Sequence, residues 1–138
     1  MTTARDLMTE GAECVQENET LQQAAQKMRD LDVGALPICG EDDRLKGMLT
    51  DRDIVIRCIA DGGDPASVTA GSLAQGKPVT IGADDSAEET LRTMARHDVR
   101  RLPVIDGHDL VGMVAQADVA RSLDADVVGR VVQEISEA

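Results

Sequence analysis

The chain of 138 residues contains no Phe, Tyr or Trp. No side chain can therefore stack an aromatic ring on a nucleobase, and any core has to be filled by Ala, Val, Ile, Leu and Met. Cationic side chains are scarce, with 14 Lys and Arg against 26 Asp and Glu and a net charge of -12. A field of that sign repels nucleic-acid backbones and anionic lipid surfaces, so neither nucleic acid nor membrane is expected as a partner. The acidity reads first as a solvated surface, although a local basic pocket can still admit a small anion. No stretch approaches the ~18 consecutive apolar residues of a membrane span. The first twenty residues carry no apolar leader segment, which together predicts a cytoplasmic protein.

Cysteine and histidine are also sparse. Cys14, Cys39 and Cys58 form no zinc spacing, and an odd count does not describe the disulfide framework of a small secreted domain. The only imidazoles are His97, expected at the end of a helix, and His108, in an acidic turn; no metal site is expected from them. No Gly-x-Ser-x-Gly, His-Glu-x-x-His or Gly-x-Gly-x-x-Gly pattern occurs, and no nucleophile has a visible base, so no catalytic residue is assigned and no enzyme is expected.

What the chain does contain, it contains twice. Leu36, Pro37, Ile38 return as Leu102, Pro103, Val104, and Met28, Asp32, Val33 return as Met94, Asp98, Val99, all 66 residues later. Gly47, Met48, Leu49 and Asp53, Ile54 return as Gly112, Met113, Val114 and Asp118, Val119 at an offset of 65, one turn being a residue shorter. Two copies of one supersecondary unit fill the chain. Units of about 60 residues are too small to bury a large core alone, so they are expected to pack on each other.

Each copy reads as strand, helix, strand, strand, helix, an α/β arrangement. Val15 lies in a short strand, and Thr20 to Gln23 is a Thr-x-x-Gln capping box matched by Ser86 to Glu89. Behind the caps, Leu21, Ala24, Ala25, Met28 and Ala87, Thr90, Leu91, Met94 recur at helical spacing, giving each helix one mainly apolar face. Leu36–Cys39 with Leu45–Leu49, and Leu102–Ile105 with Leu110–Val114, are hairpin strands around Gly- and Asp-rich turns. Gly62, Gly63 and Pro65 break any helix between the copies. Val127, Val128, Val131, Val132 and Ile135 predict a terminal helix with an apolar stripe that needs a surface to cover. The expected organisation is repeat one over 4–60, a linker over 61–69, repeat two over 70–123 and a C-terminal helix over 124–138.

With Ala4–Met8 ahead of the first copy, the Leu-Pro-Ile and Leu-Pro-Val strands, and Gly47–Asp53 after them, the whole chain resembles the cystathionine beta-synthase (CBS) domain family, whose domains occur in tandem pairs. The resemblance implies two repeats about a pseudo-twofold axis, assembly as a homodimer, and an adenosine-containing ligand in clefts between the copies: AMP, ADP, ATP or S-adenosylmethionine. The family's Gly-x-x-Thr-x-x-Asp pattern for ribose and phosphate maps onto Gly47, Thr50 and Asp53. A carboxylate in the first turn of a helix can accept both hydroxyls of a ribose. Thr-x-x-Asp also caps a helix with no ligand at all, and the residues leave both readings open. In the second copy Asp118 keeps the carboxylate but Ala115 replaces the hydroxyl, so unequal clefts are expected. Arg100 and Arg101 stand where the family often places phosphate-contacting cations; the alternative is that they pair with Asp98 or Asp106.

The family's sheet also makes neighbours of the strands beside Cys14 and Cys39. A bridge between them would add about 3 kcal/mol by closing its loop, whereas a cytosolic chain would more ordinarily keep two reduced thiols. The resemblance therefore implies a stand-alone, non-catalytic regulatory module that requires no cofactor, carries an adenosine ligand through Thr50, Asp53, Arg100, Arg101 and Asp118, and acts on a separate effector protein. The alternative is a ligand-free structural or stress-response dimer, made redox-sensitive by Cys14 and Cys39.

Overall fold

The computed structural model describes residues 1–11, 13–74 and 78–136, with side chains through 133. It divides into two compact units, Glu13–Pro78 and Met1–Ala12 together with Val79–Ala138.

The Glu13–Pro78 unit carries a three-stranded sheet in the order β2-β3-β4. Strand β2 (Val15–Gln16) runs parallel to β3 (Ala35–Cys39), which turns back antiparallel into β4 (Leu45–Thr50). Helix α2 (Leu21–Leu31) makes the crossover between β2 and β3. Its expected capping box is present: Thr20 Oγ1 accepts from the Gln23 N–H at 3.2 Å, and Gln23 Oε1 accepts from the Thr20 N–H at 2.9 Å. Leu21, Ala24 and Met28 turn inward, and the helix stops at Asp32 in a left-handed conformation (φ 56°) that short polar side chains tolerate. After β4 the chain enters helix α3 (Asp51–Ile54) and widens at once into a π-helical turn over Val55–Ile59. The aliphatic core holds Val15, Leu21, Ile38, Leu49, Ile54 and Cys58.

The other unit repeats this plan with a four-stranded sheet in the order β1 (Thr9–Glu10), β7 (Asp109–Ala115), β6 (Arg101–Asp106) and β5 (Ile81–Gly82). Strand β5 is parallel to β6, β6 is antiparallel to β7, and helix α4 (Ala87–Arg96) forms the crossover. Ser86 Oγ caps α4 by accepting the Glu89 N–H at 3.1 Å. Helix α5 (Gln116–Arg121) follows β7, and Leu91, Met94, Leu102, Val104, Val114 and Val119 form the core. The terminal helix α6 (Ala125–Ser136) finds its surface within this unit, burying Val131 and resting Val128 on the same core; Val132 stays exposed and the Ile135 side chain lies outside the described residues.

The compact units do not follow the boundaries of the sequence repeat. The segment ahead of repeat one, with α1 (Ala4–Leu7) and β1 (Thr9–Glu10), packs on repeat two: β1 pairs antiparallel with β7, and the Ala87 N–H donates to the Thr2 carbonyl. Arg5 holds this segment in place by reaching Asp106 at 3.0 Å and Asp84 at 3.5 Å. Reciprocally, the 61–69 stretch expected as a linker folds back on repeat one. The Leu21 and Gln22 N–H groups, which lack partners inside α2, donate to the carbonyls of Val68 and Pro65. Ala70, the counterpart of Ala4, is likewise fully buried.

Candidate ligand-binding site

The ribose motif lies where β4 passes into α3. Thr50 ends the strand in extended conformation and caps the helix: its Oγ1 accepts the Asp53 N–H at 3.0 Å, while Asp53 Oδ2 accepts the Thr50 N–H at 3.0 Å. The cap expected from spacing is thus real, yet it uses only one carboxylate oxygen. Asp53 is half-buried, and its Oδ1 has no hydrogen-bond partner among the described residues. Gly34 lies across the strand end and accepts the Asp51 N–H at 3.0 Å; a Cβ there would sit 3.3 Å from the Asp51 carboxylate, so the position favours a small residue. Gly47 is equally confined, since a Cβ would come 3.1 Å from that of Ala74.

The second copy builds the same turn with different chemistry. Arg101 opposes Ala115 across the β6-β7 pair, and the Arg100 carbonyl accepts the Gln116 N–H at 2.8 Å, so both arginines flank the start of α5. Both are exposed, and neither guanidinium has an ion-pair or hydrogen-bond partner among the described residues. Asp106, one of the carboxylates expected to hold them, is taken by Arg5. Asp118 is in the first turn of α5 as expected, but its carboxylate is bound by Arg121 three residues on. That contact went unread in the sequence, although Asp and Arg at i, i+3 on a helix is a recognisable spacing. Thr50 and Asp53 are thus brought together in one unit, and Arg100, Arg101 and Asp118 in the other.

Cys14 and Cys39 are joined by a disulfide, with Cα atoms 5.7 Å apart. The parallel pairing of β2 with β3, which sets Val15 beside Ile38 and Gln16 beside Cys39, brings them within reach. Cys58 is a buried free thiol. Beside the bridge, Lys27 Nζ donates to the Cys14 carbonyl at 2.9 Å and to Glu19 Oε1 at 3.1 Å, and the Gln16 N–H donates to the same oxygen at 2.9 Å. Burial pushes the Glu19 carboxyl up, but these two donors outweigh it and hold the group below its ordinary value. With Lys27 eight residues from Glu19, no helical periodicity marks this cluster in the sequence. Among the described residues no group of three His, Cys, Asp or Glu side chains is placed to hold a metal ion. None of the helices searched there is long and apolar enough to cross a membrane.

Both halves of this geometry coincide with one known domain: residues 4–59 and 70–125 each match the CBS domain. The chain belongs to the CBS domain family. It is 55% identical to hypoxic response protein 1 of Mycobacterium tuberculosis over 98% of this chain and 94% of that protein. The crystal structure of Hypoxic Response Protein I, which holds two coordinated zinc ions, superposes with a TM-score of 0.83 at 58% identity over 89% of this chain and 100% of that one. CBSX2, solved in complex with AMP, shares the fold at 21% identity, with a TM-score of 0.75 over 88% of this chain and 96% of that one. The chain is thus a CBS-pair regulatory module.

Proposed function

We propose that this CBS pair is a non-catalytic, cytoplasmic sensor of an adenosine-containing ligand, with Thr50 and Asp53 reading the ribose and Arg100 and Arg101 the phosphate; Asp118 is the corresponding carboxylate of the second repeat. The observation that carries this reading is the half-used carboxylate of Asp53: one oxygen braced by the Thr50 N–H and the other without a partner among the described residues. A diol supplies two O–H donors to such an acceptor, and a charged acceptor roughly doubles the strength of each bond. Two guanidiniums without partners among the described residues supply the local positive potential that a net charge of -12 otherwise denies an anionic ligand. A ligand that prefers one of two states of the module shifts their populations, and a separate effector protein, or a second copy in a homodimer, reads the outcome.

The two coordinated zinc ions of Hypoxic Response Protein I belong to that structure, and this reading assigns no metal here. The experiment is a calorimetric melt with AMP, ADP, ATP and S-adenosylmethionine, AMP first because CBSX2 holds it. A ligand at 100 times its Kd should stabilise by about 2.7 kcal/mol, a shift of several degrees at this size. Absence of any shift with all four removes the sensor reading.

The Cys14–Cys39 bridge favours a second reading, a stress-response dimer whose stability follows the thiol redox state. It predicts melting that responds to reductant and to none of the four ligands.

A further inference from the structure

Asp53 and Asp118 hold the same position in the two repeats, three residues after Thr50 and Ala115. Their carboxylates have different company. Among the described residues Asp53 accepts only a backbone N–H, through Oδ2, whereas Asp118 gives Oδ1 to the Arg121 guanidinium one turn further along α5. At the offset of 65 residues, the counterpart of Arg121 is Ile56, which has no donor to give. The first carboxylate therefore keeps a free acceptor for a sugar diol, and the second has a cation of its own chain to displace before it can take one. The second has also lost the hydroxyl that Thr50 supplies, because Ala115 caps α5 with no side-chain hydrogen bond.

We infer that Arg121 is a specificity-determining residue that withdraws Asp118 from sugar recognition, so that the chain takes up its first adenosine-containing ligand through its first repeat, ahead of any second. This rests on the adenosine reading above and adds its order of filling. Side chains 72% and 41% exposed form a screened pair, so Arg121 accounts for about a fivefold loss of affinity at most. The absent hydroxyl accounts for about another fivefold. Together they place the second site at most about 25-fold above the first in Kd, so that at twice the first Kd the Asp53 site is about two-thirds filled and the second below a tenth.

Titration calorimetry of AMP into the full chain tests this through stoichiometry. The wild type should take up one AMP per chain in its tight phase, and Asp53→Ala should abolish that phase. Ala115→Thr with Arg121→Ala should raise the tight uptake to two per chain, since the extended backbone at 115 suits a threonine cap and the Arg121 side chain is largely exposed. Adding Asp53→Ala to that pair should leave one AMP, now held by Asp118, with a melt confirming that each variant is folded. Two equivalent sites in the wild type, or one site persisting in Ala115→Thr/Arg121→Ala, overturns the inference while leaving the ligand reading intact. No uptake by either protein overturns both.

Discussion

Removing the Cys14–Cys39 bridge, by reductant or by Cys14→Ser with Cys39→Ser, should lower the melting temperature by an amount the loop length sets. The cysteines are 25 residues apart. In the chain-entropy description such a loop withholds about 12 cal/mol/K from the unfolded ensemble, about 3.5 kcal/mol at 25 °C. How many degrees that becomes depends on what unfolds together. If the whole chain melts as one, about 3 °C per kcal/mol gives a fall of about 10 °C; if Glu13–Pro78 melts by itself, about 4–8 °C per kcal/mol gives about 14–28 °C in one transition and none in the other. Scanning calorimetry separates the two cases and suits a chain with no Trp or Tyr to fluoresce. Thiol titration in denaturant supplies the independent check: one reactive thiol, that of Cys58, without reductant and three with it. Three thiols without reductant, together with melting indifferent to it, would refute the argument.

The remaining predictions use the same instrument. Asp53→Ala should lower stability by about 1 kcal/mol through loss of the capping box and should also abolish the AMP-induced shift, whereas a shift preserved in the variant removes Asp53 from the site. Met94→Ala, at a fully buried position, should cost about 2–5 kcal/mol, and a loss under 1 kcal/mol in a melt would show that the α4 core repacks freely. Glu19 has its carboxyl held below the ordinary 4.5, so its contribution should be complete above that value and disappear as pH falls through the lowered one. Glu19→Gln should accordingly flatten the acid side of the melting-temperature profile; an unchanged acid limb would show that the Gln16 and Lys27 contacts do not hold the charge.

Much of the fold was legible because it is built from local rules. Thr20 and Ser86 announce helices through the orphan N–H groups they satisfy, and both caps form. Leu36 to Cys39 was legible as a short apolar run, and all four residues are buried in β3. The site was legible as residue types at fixed spacing and then altered by partners that spacing does not show. Thr50 and Asp53 serve as cap and candidate reader together, Asp106 goes to Arg5 from the far end of the chain, and Asp118 goes to Arg121.

By itself the sequence determined the two repeats, through residues that return at fixed offsets, the aliphatic composition of both cores, through the lack of aromatics, and the main helices and strands, because caps and periodicity act within one helix turn or one pleat. Only the tertiary structure decided that each unit is completed by the segment leading into the other repeat, with Ala4 buried in the same core as Ala87 and Ala70 in the same core as Leu21. Those contacts join residues tens of positions apart, and they follow from backbone N–H groups at the starts of α2 and α4 that only a distant carbonyl can satisfy.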